Sequence, residues 1–209
     1  MRKDYTIFVE GEADEHFIRQ LIEFIWKGNT QITPDSIVPT NGYSNLMSMD
    51  RQQTYLNTMQ RTSDDGGINL IIFDADDDCS ARRKEILEWG KKNNARFELF
   101  LLPDNSSPGA LEDLLERIIY PDNAPIMDCW EAYEESLRNI QLPWRNGKPL
   151  TTPAKKTKIY AYLEALVGPS NSQKEKIKEK NRDYQNPYHW NLHAATLLSL
   201  ITFLKTHLD

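Results

Sequence analysis

Two acidic stretches carry the residue types best suited to chemistry. The segment INLIIFDADDD, residues 68–78, runs from an apolar stretch into Asp74-Ala75-Asp76-Asp77-Asp78. The segment DYTIFVEGEAD, residues 4–14, runs from a second apolar stretch into Glu10-Gly11, with Asp14 four residues after the glutamate. Carboxylates held side by side repel one another, and a bound proton or cation relieves the repulsion. Glu10, Asp74, Asp76 and, further along, Glu112 offer only oxygen donors. That donor set suits Mg²⁺ or Mn²⁺ and disfavours zinc. A cation in such a site binds phosphate oxygens and activates water for in-line attack, and a second one stabilises the leaving oxygen. Asp14 is a candidate ligand for that second cation. Structural roles compete at several of these positions. Asp77 and Asp78 suit the cap of a following helix, and Asp14 and Glu112 suit a helix first turn, where acids are favoured. Asp74 follows the apolar run directly and sits too early to be a cap.

These carboxylates need elements to bring them together. The run ending at Phe73 is apolar at nearly every position, which predicts a central strand covered on both faces. Residues 4–10 predict another strand. Ala13, Phe17, Ile18, Leu21, Ile22 and Ile25 recur at helical spacing and predict a helix ending near Gly28-Asn29. Residues 35–39 are a weaker strand candidate around Ile37-Val38. Residues 44–61 carry Leu46, Met49, Leu56 and Met59 on one helical face. A helix over about 80–93, a strand over 96–102 and a helix opening after Gly109 follow. Strand–helix alternation predicts an α/β fold with a mainly parallel sheet flanked by helices. Ligands bind such sheets at the carboxyl ends of strands. Glu10 and Asp74 fall at two such ends, and Glu112 just beyond a third. Asp74 and Asp76 share a side if the extended conformation continues that far.

The texture changes near residue 121. Residues 1–121 read as the α/β core and 122–209 as a helical C-terminal extension packed on it. Prolines at 121, 125, 143, 149 and 153 surround an amphipathic helix at about 127–140. Another helix is expected at 155–166, and an apolar one from Trp190 to Leu208. Between Arg145 and Arg182 there are ten Lys or Arg against three Asp or Glu. Lys155, Lys156 and Lys158 are candidates for contact with nucleic acid, DNA or RNA, opposite an acidic cation site. Such runs also serve as solvated helix faces. His189 and His193, four residues apart, are expected to share a helical face but have no assignable acidic partner. The net charge of −6 argues against a protein that coats nucleic acid generally. Cys79 and Cys129 form neither a disulfide framework nor a zinc pattern. No apolar run approaches membrane-spanning length, and the N-terminus lacks a signal-peptide core. The expectation is a cytoplasmic protein without membrane contact; a protein partner is not specified.

The ordered set FVEGEAD and LIIFDADDD resembles the Toprim domain shared by topoisomerases, bacterial primases and OLD-family nucleases. That pattern has a Glu-Gly after the first strand and an Asp-x-Asp after the third, matched by Glu10-Gly11 and Asp74-Ala75-Asp76. OLD-type members add an acid one turn after the Glu, matched by Asp14, and a later Leu-Glu, matched by Leu111-Glu112. The resemblance spans roughly residues 4–120 and is closest to small stand-alone Toprim-like proteins of bacteria. It implies Mg²⁺ or Mn²⁺ held by Glu10, Asp14, Asp74, Asp76 and Glu112, with Glu10, Asp74, Asp76 and Glu112 catalytic in phosphodiester hydrolysis. There is no GxxxxGK[ST] loop, so the ATPase half of an OLD protein is absent. A primase zinc ribbon is also absent. The alternative is a non-catalytic Toprim-like module that binds nucleic acid, nucleotide or a protein. A haloacid-dehalogenase-like phosphatase fits less well, because its Asp-x-Asp lies on the first strand.

Overall fold

The computed structural model describes residues 4–27 and 37–208. Four strands form one wholly parallel sheet in the order β2-β1-β3-β4. They are β1 (Tyr5–Val9), β2 (Ile37–Pro39), β3 (Ile68–Asp74) and β4 (Glu98–Leu102). Helices α1 (Glu12–Ile25), α2 (Tyr43–Met47), α3 (Gln52–Asp64), α4 (Cys79–Lys92) and α5 (Leu111–Arg117) alternate with them. The expected mainly parallel α/β sheet flanked by helices is what the chain forms. The expected end of the first helix at Gly28-Asn29 and the start of the strand at 35–36 lie outside the described residues.

The central strands are mostly apolar because both faces of the sheet are covered, with Thr6 and Asn69 the buried polar residues among them. Ile7, Val9, Leu70, Ile72, Phe100 and Leu102 point into one core, with Phe17, Ile18, Leu21 and Ile22 of α1. Phe8, Ile71, Phe73, Leu99 and Leu101 point into the other, with Leu46, Met59, Ile86 and Trp89. The period-two alternation of strand side chains therefore sorts one sequence into two cores. Register pairs Val9 with Ile72, so the carboxyl ends of β1 and β3 lie side by side.

The C-terminal extension belongs to the first core. Helices α6 (Ala124–Asn139), α7 (Lys155–Val167), α8 (Asn171–Lys176) and α9 (Leu198–Leu208) follow the α/β part. Ile159, Tyr162, Leu163, Trp190, Leu197, Leu200 and Leu204 are buried with the residues of the sheet. Leu200→Ala should therefore lower unfolding free energy by about 2–5 kcal/mol, the range for truncating a fully buried leucine. Urea denaturation measures it. An unchanged midpoint would mean that α9 is not part of the folded core.

Three helical expectations are corrected. Residues 44–61 are two helices, not one: Ser48 is extended, and the chain restarts through bonds from Arg51 and Gln52 N–H to Ser48 O. Met49 sits in the break and is 86% exposed. The apolar segment from Trp190 becomes α-helical only at Leu198. Its first part bridges instead to residues 118–120, with Tyr120 N–H donating to His189 O and Asn191 N–H to Ile118 O. The Asn186 and Asn191 side chains accept from Tyr188 and His193 N–H, which turns the chain locally instead of winding it. His189 and His193 consequently share no helix.

Candidate functional site

Glu10 and Asp74 meet at the carboxyl rim of the two central strands. Glu10 leaves β1 directly and Asp74 is the last residue of β3. The Asp74 N–H donates to Glu10 Oε1 at 3.2 Å. Asp74 Oδ1 in turn accepts from the Leu111 N–H at 3.0 Å, at the start of α5. Gly11 then turns the chain into α1. Asp14, in its first turn, reaches back so that its Oδ2 accepts from the Gly11 N–H at 3.0 Å. This is the helix-capping role open to Asp14 from the sequence, and it uses only one of its two oxygens. The other, Oδ1, is buried without a hydrogen-bond partner. Glu112, half-buried in the first turn of α5, completes a group drawn from four elements.

The electrostatics of this group are those of buried carboxyls, with like charges adding to the effect. Burial pushes the Asp74 carboxyl up to about 9, reinforced by the charges of Asp14, Glu10 and Glu112; its bond from Leu111 opposes this only partly. Burial likewise raises Asp14, to about 7, with Glu10 and Glu112 adding to it against the Gly11 bond. Glu10 is raised by burial and by Asp76, against lowering by the Asp74 backbone, Arg82 and the Tyr43 backbone. Among the described residues, no Lys, Arg or His forms an ion pair with Glu10, Asp14, Asp74 or Glu112. Buried carboxylates without a counter-charge are costly in the ionised form.

Asp76 does not share the orientation of Asp74. The strand ends at Asp74, and Asp76 adopts φ 51°, in the left-handed region. The cause lies 33 positions on: Asp76 and Gly109 exchange both backbone hydrogen bonds, at 2.9 and 2.7 Å, in an isolated antiparallel bridge. The Asp76 side chain is half exposed and pairs with Arg82. It still acts electrostatically on Glu10, so it stays at the edge of the group. Asp78 is the cap of α4, accepting from the Ser80 and Ala81 N–H groups at 2.9 and 3.0 Å. Asp78→Ala should cost about 1 kcal/mol, the usual value for a lost cap. It should leave cation affinity unchanged, which separates the structural aspartate from the candidate ligands by thermal unfolding and calorimetry.

The three lysines separate. Lys155 Nζ lies 2.5 Å from Asp113 and Lys156 Nζ 2.6 Å from Glu179, both on side chains more than half exposed. Lys158 is buried and bonds Glu116 at 2.9 Å, joining α7 to α5. Glu112 acts electrostatically on Lys155 and Lys156, so the start of α7 stands beside the carboxylate group. Sequence reasoning passed over these acidic partners, and also over Arg82 and Tyr43. Only Arg82, six residues after Asp76 in the same acidic stretch, carried a local signal. Lys174, Lys178 and Lys180 line an open groove of about 490 Å³ with Glu12, Tyr160 and Glu164.

Carboxylate oxygens are the donor type that hard divalent cations take. The oxygens come from carboxylates alone, one buried oxygen has no partner, and burial together with neighbouring carboxylates raises Asp14 and Asp74. Among the described residues, no three Asp, Glu, His or Cys side chains stand together in an arrangement that could hold a metal ion. Glu10, Asp14 and Asp74 each accept from a backbone N–H, and Asp14 Oδ1 is left without a partner.

Fold and site together define a parallel α/β protein with a carboxylate cluster at the carboxyl rim of its two central strands. The chain matches the family described as "Protein of unknown function (DUF3226)" over residues 4–209, and it belongs to that family. No curated protein and no solved structure matches it. Among the described residues, no helix is long and apolar enough to cross a membrane.

Proposed function

We propose that the chain is a Mg²⁺- or Mn²⁺-dependent, Toprim-like phosphodiesterase that cleaves nucleic acid. The observation carrying this reading is the convergence of Glu10, Asp14, Asp74 and Glu112 from four elements with no ion-paired cation. A structural cluster would normally be neutralised by Lys or Arg, whereas a cation site keeps its carboxylates free. Glu10, Asp74 and Asp14 would hold the cation, with Glu112 and Asp76 completing the set. The bound cation would supply charge for the phosphate oxygens and an activated water. Backbone bonds to Glu10, Asp14 and Asp74 orient these carboxylates beforehand, which lowers the cost of assembling the site. Lys155 and Lys156, exposed at the start of α7, would meet the backbone of the polyanion.

The test is incubation of the protein with single- and double-stranded DNA and RNA, in Mg²⁺, Mn²⁺ or chelator. Cleavage that needs the cation and vanishes in Asp74→Asn is the expected result. Cation binding without cleavage of any of these substrates would favour the non-catalytic binding module.

A further inference from the structure

We propose that Arg82 is the residue of this rim that receives a phosphate group, with Asp76 as its counter-ion until one arrives. The inference rests on the cation reading above and names the anion-binding half of that site. Arg82 lies in the first turns of α4, and its side chain is only 15% exposed. Its guanidinium lies over the Tyr43 ring, 3.6 Å from the centroid, and bonds the Asp76 carboxylate. The Tyr43 hydroxyl is itself fixed by donating to Glu85 Oε2 at 2.8 Å. The guanidinium is therefore held against an aromatic platform.

Two observations aim this group at the site instead of at the loop alone. Arg82 and Asp76 both act electrostatically on Glu10, with opposite sign, so the pair lies within reach of the carboxylates. Tyr43, the platform, opens α2, and its backbone amide acts electrostatically on Glu10, lowering its pKa. A divalent cation on the rim attracts the half-exposed Asp76 and repels Arg82. A mostly buried guanidinium that loses Asp76 keeps, among the described residues, only the longer pair to Glu85 Oε2, at 3.9 Å, and its fork is then open to another anion. A phosphate bound to the same cation presents paired oxygens in the geometry that a guanidinium fork accepts. The ligand class is accordingly a phosphate monoester or diester, matched to a cation and an arginine together.

Calorimetry on the full chain tests this with Mg²⁺ alone, and then with inorganic phosphate in saturating Mg²⁺. Arg82→Gln removes a positive charge near the carboxylates, so Mg²⁺ should bind about threefold or more tightly. The same variant should lose about tenfold or more in phosphate affinity, the scale of a lost charged hydrogen bond. Arg82→Lys keeps the charge, so Mg²⁺ affinity should stay near wild type and part of the phosphate affinity should return. Opposite signs for cation and anion are the signature. Unchanged phosphate affinity in Arg82→Gln would overturn the proposal, leaving Arg82 as a brace between Asp76 and the start of α4. Parallel weakening of both ligands would also overturn it, because Arg82 would then only maintain the shape of the rim. A wild type that binds no Mg²⁺ would overturn the cation reading, and this inference with it.

Discussion

In the presence of chelator, Asp74→Asn should be more stable than the wild type, and in Mg²⁺ it should hydrolyse nothing. Asparagine keeps the size of the side chain, and its carbonyl oxygen still accepts from the Leu111 N–H. What it removes is a buried carboxyl surrounded by Asp14, Glu10 and Glu112. In the unfolded chain Asp74 ionises freely at neutral pH; in the folded chain it holds its proton or pays for its charge. That difference works against folding, at roughly 1.4 kcal/mol per unit of raised pKa up to the working pH. Removing it should add on the order of 1 kcal/mol or more near pH 7, shared among coupled groups and not owned by Asp74 alone. A purely structural aspartate gives the opposite sign, because loss of a hydrogen-bonded buried charge destabilises. Chemical denaturation in chelator reads the sign, and a nucleic-acid cleavage assay in Mg²⁺ reads the activity. A destabilised Asp74→Asn with intact hydrolysis would reject both halves.

The second large effect is on pH dependence. Asp14 and Asp74 are carboxyls whose folded pKa values lie above their unfolded ones, near 7 and 9 against about 4. Above about pH 4 the folded chain binds more protons than the unfolded chain, so stability falls as pH rises. The contribution is fully present below the unfolded carboxylate range and is lost on the way up to about pH 9. Each group contributes a slope of at most about 1.4 kcal/mol per pH unit. Metal-free protein should therefore unfold at a lower temperature at pH 8 than at pH 5.5. A divalent cation replaces those protons, so its affinity should rise across the same window. Asp14→Asn and Asp74→Asn should each flatten the metal-free profile. Melting temperature against pH, in chelator, checks this; a flat wild-type profile would mean that the carboxylates are not crowded in solution.

Much of the fold was legible because it depends on local pattern. Phe8, Ile71 and Phe73 alternate with Ile7, Val9 and Ile72, and a strand apolar on both faces has to lie inside a covered sheet. Alternation of strands and helices then brought Glu10 and Asp74 to one rim, and β1 and β3 are neighbours. Asp14 and Glu112 were legible as acids in helix first turns, a position compatible with both capping and ligation. The divergence of Asp76 was not legible, because it depends on a bridge to Gly109 across 33 residues and on a positive φ at a non-glycine residue. Nor were the partners of Lys155, Lys156 and Lys158, since Asp113, Glu179 and Glu116 come from other elements. Trp190 and Leu192 read as helical because they are apolar, but the turns made by Asn186 and Asn191 decide their backbone.

The central claim is that Glu10, Asp14, Asp74 and Glu112 form a divalent-cation site, and thermal unfolding with and without cation tests it most directly. A cation that binds the assembled rim and not the unfolded chain stabilises by mass action, about 2.7 kcal/mol at ~100 times its dissociation constant. The account predicts a higher wild-type midpoint in Mg²⁺ or Mn²⁺ than in chelator, with the increase greatly reduced in Asp74→Asn. Equal wild-type midpoints in Mg²⁺, Mn²⁺ and chelator, with Asp74→Asn less stable than wild type throughout, would contradict it.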